Sequence, residues 1–376
     1  MTPEGKILEI VKRRHVDFFG ALPCDRNKKL YDAVLAGFRS VELSREEEGV
    51  GICAGALMAG ARPAMLIQNS GLGNMINALA SMSKLYSFAL PIFMSWRGME
   101  SETIVAQKWM GEYVPKIMKS MDIPYHEIRS LDDIDQIDET LDSVYENNTI
   151  RGYLMEPAVW KGSDFEPDSS PATPAFKELD NFDGTMPEPK LTRFELLEKI
   201  SEALEGKAVA CNLGIPCKEL YKVCHQPSNF YMLGSMGMVT PVALGMALCS
   251  DKKVISIDGD GSMLMNPSTL ATIARTAPEN LTVLCVDNGA YGSTGNQLTA
   301  TATWSDLAKV ARGFGINNVV RTADPDEVAS ALGGGDGPLF IHAICKAGNA
   351  NVPNLTLTPE EIRKSVEEFL REPYES

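Results

Sequence analysis

Asp260 stands in the run Gly259-Asp260-Gly261-Ser262, at the end of the apolar stretch VISID. Asn288 closes the next apolar stretch, LTVLCVD, and 26 residues lie between Gly261 and Asn288. That interval holds one strand-loop-helix-strand unit. Both loops therefore leave the carboxyl ends of adjacent parallel strands, where ligands bind in doubly wound sheets. A carboxylate and an amide carbonyl are hard oxygen donors suited to Mg2+, which takes one or two protein ligands and completes its shell with phosphate oxygens. The glycines let backbone amides come close to a diphosphate. The chemistry expected here is Mg2+-assisted binding of a diphosphate. Neither GLGNMI nor GDGSML completes the GxGxxG dinucleotide fingerprint, which argues against a nicotinamide enzyme.

Other residues could do chemistry in the first half. SREEEGVGICAGALMAG offers three carboxylates, Glu46, Glu47 and Glu48, before a helix face flattened by Gly51 and Gly55. An acidic run is also what a helix N-terminus favours, so the charge pattern alone leaves the three open. Gln68-Asn69-Ser70 and Arg97 each follow an apolar stretch, PAMLI and LPIFMSW. Arg97 can grip an oxyanion with two parallel donors, and Lys108 could assist from the next segment. The four histidines, His15, His126, His225 and His342, lack metal-ligand spacing, so zinc and a histidine triad are not expected.

The elements that must position these groups repeat one style. Strands are predicted at VDFFGALP, PAMLIQN, LPIFMSW and GYLME, then at KAVACNLG, KVISIDGDG, LTVLCVDN and PLFIHAIC. Helical patterns lie between them, at residues 45–60, 74–87, 192–205, 239–250 and 267–277, and Thr358 caps a closing helix. The alternation predicts an α/β protein with two doubly wound parallel-sheet domains. Residues 161–190 are rich in Pro, Ser and Asp and read as a linker between domains at 1–160 and 191–376. A chain of 376 residues, 44% hydrophobic, suffices for two such cores. The net charge of -15 disfavours nucleic acid and anionic membranes as partners, and no apolar run reaches a membrane span. Eight cysteines without a CxxC pair, most in apolar runs, point to buried thiols and a cytoplasmic location.

GDGS, 26 residues and Asn288 together resemble the diphosphate-binding motif of thiamine diphosphate-dependent decarboxylases. Gly234-Ser235-Met236-Gly237, one element earlier, is similar to the segment that holds their bent cofactor. The resemblance implies that Asp260, the Asn288 side chain and the Ala290 carbonyl hold Mg2+. Gly259, Gly261, Ser262, Asn288, Ala290 and Tyr291 would contact the diphosphate side of the cofactor. Met236 would be the apolar wedge between its two rings, with Ser235 beside it, and the Gly234 carbonyl would accept from the 4'-amino group. The family's catalytic acid lies nine residues before a Gly in an A/C-x-G helix. Gly55 minus nine selects Glu46, which would protonate the pyrimidine N1'. The resemblance also implies a pyrimidine-binding domain, a diphosphate-binding domain, no middle domain, and a homo-oligomer with active sites between chains.

Within that family the first half resembles the α subunit of the sulfopyruvate decarboxylases and the second half their β subunit. SREEEGVGICAG, QNSGLGNMINALASM, FMSWRGMES, IPYHEI and FYMLGSMGM carry the likeness. The implied reaction is decarboxylation of 3-sulfopyruvate, a small anionic 2-keto acid, to sulfoacetaldehyde and CO2, of the coenzyme M biosynthesis type. Gln68, Asn69, Ser70 and Arg97 would meet the substrate. Trp96-Arg97 is closer to the related phosphonopyruvate decarboxylases, which stand as the alternative. A paralogue that binds the cofactor without catalysis is a second alternative.

Overall fold

The computed structural model describes residues 1–99, 102–167, 184–334 and 337–372. Of the expected linker, 168–183 lie outside the described residues. Residues 58–60 aside, the described chain divides into two compact units, one from each half.

The first unit is built on six strands: β1 (Phe18–Ala21), β2 (Arg39–Glu42), β3 (Pro63–Gln68), β4 (Leu90–Ser95), β5 (Tyr125–Ile128) and β6 (Ile150–Met155). Their order is β2-β1-β3-β4-β6-β5, and every pairing is parallel. β1, β3 and β4 are almost wholly buried, as strands covered by helices on both faces must be. Phe19, Leu66, Phe93 and Tyr153 form a shared core with Ile7, Ile10 and Val11 of the first helix, Pro3–Arg13, which the Thr2 hydroxyl caps. The strand order reverses between β1 and β3. The loops after β1, β3 and β4 open at that reversal, and they carry Cys24, Gln68 and Arg97.

The second unit repeats the plan with β7 (Ala208–Cys211), β8 (Asn229–Tyr231), β9 (Val254–Gly259) and β10 (Leu281–Asp287). A hairpin follows, β11 (Ala290–Tyr291) and β12 (Gln297–Leu298), and then β13 (Asn318–Thr322) and β14 (Leu339–Ile344). The parallel order is β13-β14-β10-β9-β7-β8, reversing between β7 and β9. The helix Val239–Cys249 packs on β9 and is buried over nearly all its length, which its sequence VTPVALGMALC permits. The closing helix, Pro359–Arg371, starts with a reciprocal capping box between Thr358 and Glu361. Among the described residues no helix is long and apolar enough to cross a membrane. All eight cysteines are free.

The hairpin strands β11 and β12 are absent from the sequence-based set, and so are four strands of the six-stranded sheets: β2, β5, β8 and β13. They are the four sheet edges. Three of them, RSVE, YHEI and NVVRT, are half-exposed and mix charged with apolar residues. An edge strand needs neither a continuous apolar run nor strict alternation, so the pattern that reveals central strands is missing.

Candidate active site

In the second unit a cavity opens at the reversal between β7 and β9. Asn212 and Leu213 line it from the loop after β7, Gly259 from the end of β9, Asp260, Gly261 and Ser262 from the first turn of the short helix Asp260–Met265 that follows at once, Asn288 from the turn after β10, and Ala290 and Tyr291 from β11. Met236 also reaches it. The turn that carries Met236 is tight: Ser235 has φ 59° and Gly237 φ 89°, a conformation that costs a non-glycine residue of order 1 kcal/mol. The Gly237 N–H donates to Ser262 Oγ at 3.1 Å and ties this turn to the GDGS loop. Gly234, whose carbonyl was expected at the cofactor, is not among the residues lining the cavity.

Gly261 has no room for a side chain, since a Cβ there would stand 2.3 Å from the Tyr291 ring. Asp260 is 3% exposed and accepts a hydrogen bond from the Thr299 hydroxyl, with the Thr301 hydroxyl 3.1 Å from it. Burial and the nearby Asp287 carboxylate push its pKa up, against the two hydroxyls. The amide nitrogen of Asn288 is buried without a hydrogen-bond partner, while its oxygen accepts from the Ala290 N–H at 3.2 Å. A buried carboxylate with a raised pKa, a buried amide donor that finds no acceptor among the described residues and a glycine floor fit a cation with a diphosphate. Among the described residues no group of three or more His, Cys, Asp or Glu is set to hold a metal. An ion at Asp260 would draw on the Asn288 amide, the Ala290 carbonyl and phosphate oxygens, as Mg2+ does.

In the first unit the three glutamates of the acidic run have separate partners. Glu48 accepts from the Ser44 N–H at 2.5 Å and so closes the helix start. Glu47 pairs with Arg45 at 3.3 Å. Glu46 is buried, accepts from Asn74 Nδ2 at 2.8 Å, and fills the space above Gly71, where a Cβ would meet its Cγ at 2.4 Å. Asn74 is a residue that sequence reasoning passed over. Its helix is short, and nothing in the spacing shows that the side chain turns back to Glu46.

The loops after β1, β3 and β4 bring Cys24, Gln68, Ser70, Asn69 and Arg97 together. Gln68 Nε2 donates to Ser70 Oγ at 2.5 Å, and its Oε1 lies 3.4 Å from Cys24 Sγ. Asn69 is fully buried and clasps the Arg97 backbone through both amide arms, each at 3.1 Å. The Arg97 fork is filled by Glu102, at 2.6 and 3.0 Å, and a third N–H donates to Asp25 at 2.6 Å. The sequence reading leaves that fork for a substrate anion, whereas the structure gives it to a protein carboxylate five residues on. Arg97 holds the Glu102 pKa down to about 2.

That pair sets a stability prediction. The folded pKa of Glu102 lies below the ordinary value of 4.5, so its stabilisation is complete above that pH and is lost as pH falls towards 2. Glu102→Gln is expected to lower the unfolding free energy by about 3 kcal/mol at pH 7, because it leaves a buried guanidinium with only the largely exposed Asp25 as counter-charge. The difference from the parent should shrink at pH 3, which urea denaturation at both pH values would show.

Comparison with known proteins agrees with this geometry. Residues 214–343 match the thiamine pyrophosphate enzyme C-terminal TPP-binding domain. A sulfopyruvate decarboxylase of Methanosarcina acetivorans is 40% identical over 380 residues, covering 98% of both chains. The chain belongs to the sulfopyruvate decarboxylase family. The sulfopyruvate decarboxylase β subunit of Methanothermobacter thermautotrophicus is 46% identical over 182 residues, which is 48% of this chain and 95% of that subunit. A phosphonopyruvate decarboxylase of Streptomyces hygroscopicus is 29% identical over 363 residues, 94% of this chain and 90% of its own. A crystal structure described as a thiamin diphosphate-dependent enzyme from Mycobacterium smegmatis superposes with a TM-score of 0.71 at 12% identity, covering 92% of this chain and all of the other. The family member described here thus has the two-sheet fold of such enzymes, and no third domain is seen among the described residues.

Proposed function

We propose that the chain decarboxylates 3-sulfopyruvate to sulfoacetaldehyde and CO2 with thiamine diphosphate and Mg2+, as in coenzyme M biosynthesis. The observation that carries this reading is the Gly259–Ser262 loop set beside Asn288 where the sheet order reverses, in a chain that runs the full length of a sulfopyruvate decarboxylase relative. Residues 1–160 serve as the pyrimidine-binding domain and 191–376 as the diphosphate-binding domain, joined by 161–190. A relative that matches the second half alone as a separate β subunit supports this division. The chains form a homo-oligomer, with Glu46 of one and Asp260 of another at each site.

Thiamine diphosphate, when bound, supplies the electron sink into which the bond to CO2 breaks. The chain's own residues do the rest. Asp260, Asn288 and the Ala290 carbonyl hold the cation, and Gly259, Gly261, Ser262 and Tyr291 shape the floor for the diphosphate. Met236, set out by the tight turn at Ser235 and Gly237, would wedge between the cofactor's two rings, while Gly234 stands outside the cavity lining. Glu46 holds a proton at the pyrimidine N1'. Gln68 and Ser70 face the keto acid, Asn69 locks the loop that presents Arg97, and Arg97 would have to turn from Glu102 and Asp25 to meet the second anion.

The test is aldehyde release from sulfopyruvate, phosphonopyruvate and pyruvate, compared in the parent, Arg97→Lys and Arg97→Ala. Sulfopyruvate should be the best substrate of the parent. A charge-assisted contact of roughly 1.5–3 kcal/mol corresponds to a loss of about 10- to 150-fold in kcat/KM for sulfopyruvate in Arg97→Ala, with Arg97→Lys between. Pyruvate has no second anion and should barely respond. Equal losses on both would remove Arg97 from substrate selection, and a preference for phosphonopyruvate would move the chain to that relative's activity.

A further inference from the structure

Behind the diphosphate loops lies a buried run of charge that the reaction above does not use. His342, in β14, is fully buried. In the sheet register it lies between Cys285 of β10 and Arg321 of β13. His342 Nε2 is 2.8 Å from Asp287 Oδ2. On the other side, Nδ1 stands 3.6 Å from Asp306 Oδ1, beyond a hydrogen bond but within ion-pair range. Asp306 caps the helix Leu307–Gly313 and pairs with Arg321. Burial works against a charged imidazole here, but the Asp287 and Asp306 carboxylates outweigh it and hold the His342 pKa above its ordinary value. The neighbouring Cys285 stays a neutral thiol, because burial and Asp287 push its pKa up. Each ring nitrogen of His342 thus faces a carboxylate, and Arg321 pairs with the outer one, Asp306.

This set touches the proposed cation site through the Thr301 hydroxyl and through Asp287 itself, which precedes Asn288 and accepts from the Gly289 N–H at 2.9 Å. Thr301 Oγ is 2.8 Å from Asp287 Oδ1 and 3.1 Å from Asp260 Oδ2. A hydroxyl has one proton to give. The Thr299 hydroxyl serves Asp260, which leaves Thr301 to serve Asp287. Two carboxylates this close repel each other strongly at low dielectric unless one of them is neutralised. A diphosphate brings further negative charge to the same place.

We infer that His342 is a positioning residue for the cation–diphosphate site: its imidazolium neutralises Asp287, so that the diphosphate meets the Asp260 carboxylate without a second bare one beside it. The inference rests on the reading of Asp260 and Asn288 as cofactor ligands. It is tested by calorimetric titration of thiamine diphosphate, at fixed Mg2+ and pH 7, into the full chain and three variants. His342→Gln removes the cation and should weaken binding by about tenfold or more. Asp287→Asn removes the charge that needs neutralising and should bind as well as the parent or better. The double variant, Asp287→Asn with His342→Gln, should regain most of the loss. A packing role for the imidazole would not be rescued by a change at Asp287. A double variant as weak as His342→Gln, or a tenfold loss in Asp287→Asn alone, would overturn the inference. If His342→Gln does not fold, the Asp287→Asn titration decides by the same criterion. Absence of binding in the parent chain would instead remove the cofactor reading, and the inference with it.

Discussion

Glu46→Gln is expected to bind thiamine diphosphate as the parent does and to exchange the cofactor's C2 proton about 10^2- to 10^4-fold more slowly, the range of a lost positioned acid. Three observations single out this carboxylate. Glu48 is engaged by the Ser44 N–H and Glu47 by Arg45, so each has structural work at the helix start. Glu46 alone of the three is packed over Gly71, a position that tolerates no Cβ, and is oriented by Asn74. Glutamine keeps the volume and an acceptor for Asn74, but it has no carboxyl proton to hold at N1'. Glu47→Gln should retain nearly full exchange, since Glu47 only trades its partner Arg45 for solvent. The measurement is deuterium exchange at C2, followed by NMR in the reconstituted protein. A larger loss in Glu47→Gln would put the acid one residue further along, and unchanged exchange in both would remove the run from the chemistry.

The parts of this site that were legible in the sequence are those where backbone demands and chemistry coincide. GDGS needs two glycines, one of them because Tyr291 leaves no space, and it ends a buried strand whose apolar run cannot be missed. The interval to Asn288 follows from the length of one crossover. Central strands appear as apolar runs because helices cover both their faces. Side-chain pairings between segments distant in the chain leave no such trace. Nothing in WRGMESE says that Glu102 will fold back onto Arg97 in preference to a ligand. Nothing in QLTATATWSD says that two threonines will turn onto Asp260 from about forty residues away. His342 was set aside for lack of metal-ligand spacing, yet its neighbours come from β10, from β13 and from a helix cap that no local pattern connects. Asn74 belongs to the same class, since its contact with Glu46 spans two elements.

The second large effect is expected at Asp260. Asp260→Ala should fold, and in the presence of Mg2+ it should lose thiamine diphosphate binding by on the order of 10^3-fold, as removal of one partner from a buried charged contact of about 4 kcal/mol implies. The carboxylate is the one formal negative charge among the three proposed cation ligands, and an amide and a backbone carbonyl cannot replace its attraction for a divalent ion. Stability should respond in the opposite sense when no cofactor is present. Burial and Asp287 raise the Asp260 pKa, which means that the folded state disfavours the ionised group. That penalty appears as pH rises from the ordinary carboxyl value through the raised one, and at pH 7 the parent carries it while the alanine variant does not. Loss of the partner for Thr299 and Thr301 offsets part of the gain, so the cofactor-free variant should melt at or slightly above the parent. Addition of Mg2+ and thiamine diphosphate should then raise the parent's melting temperature, by the free energy of a ligand that binds only the folded state, and leave the variant where it was. Asp260→Asn, with the size kept and the charge lost, should behave like the alanine variant, because the cation answers to charge and not to shape. A variant at position 260 that still binds the cofactor at parental strength would show that the cation, if one is used, is held elsewhere in the cavity between β7 and β9.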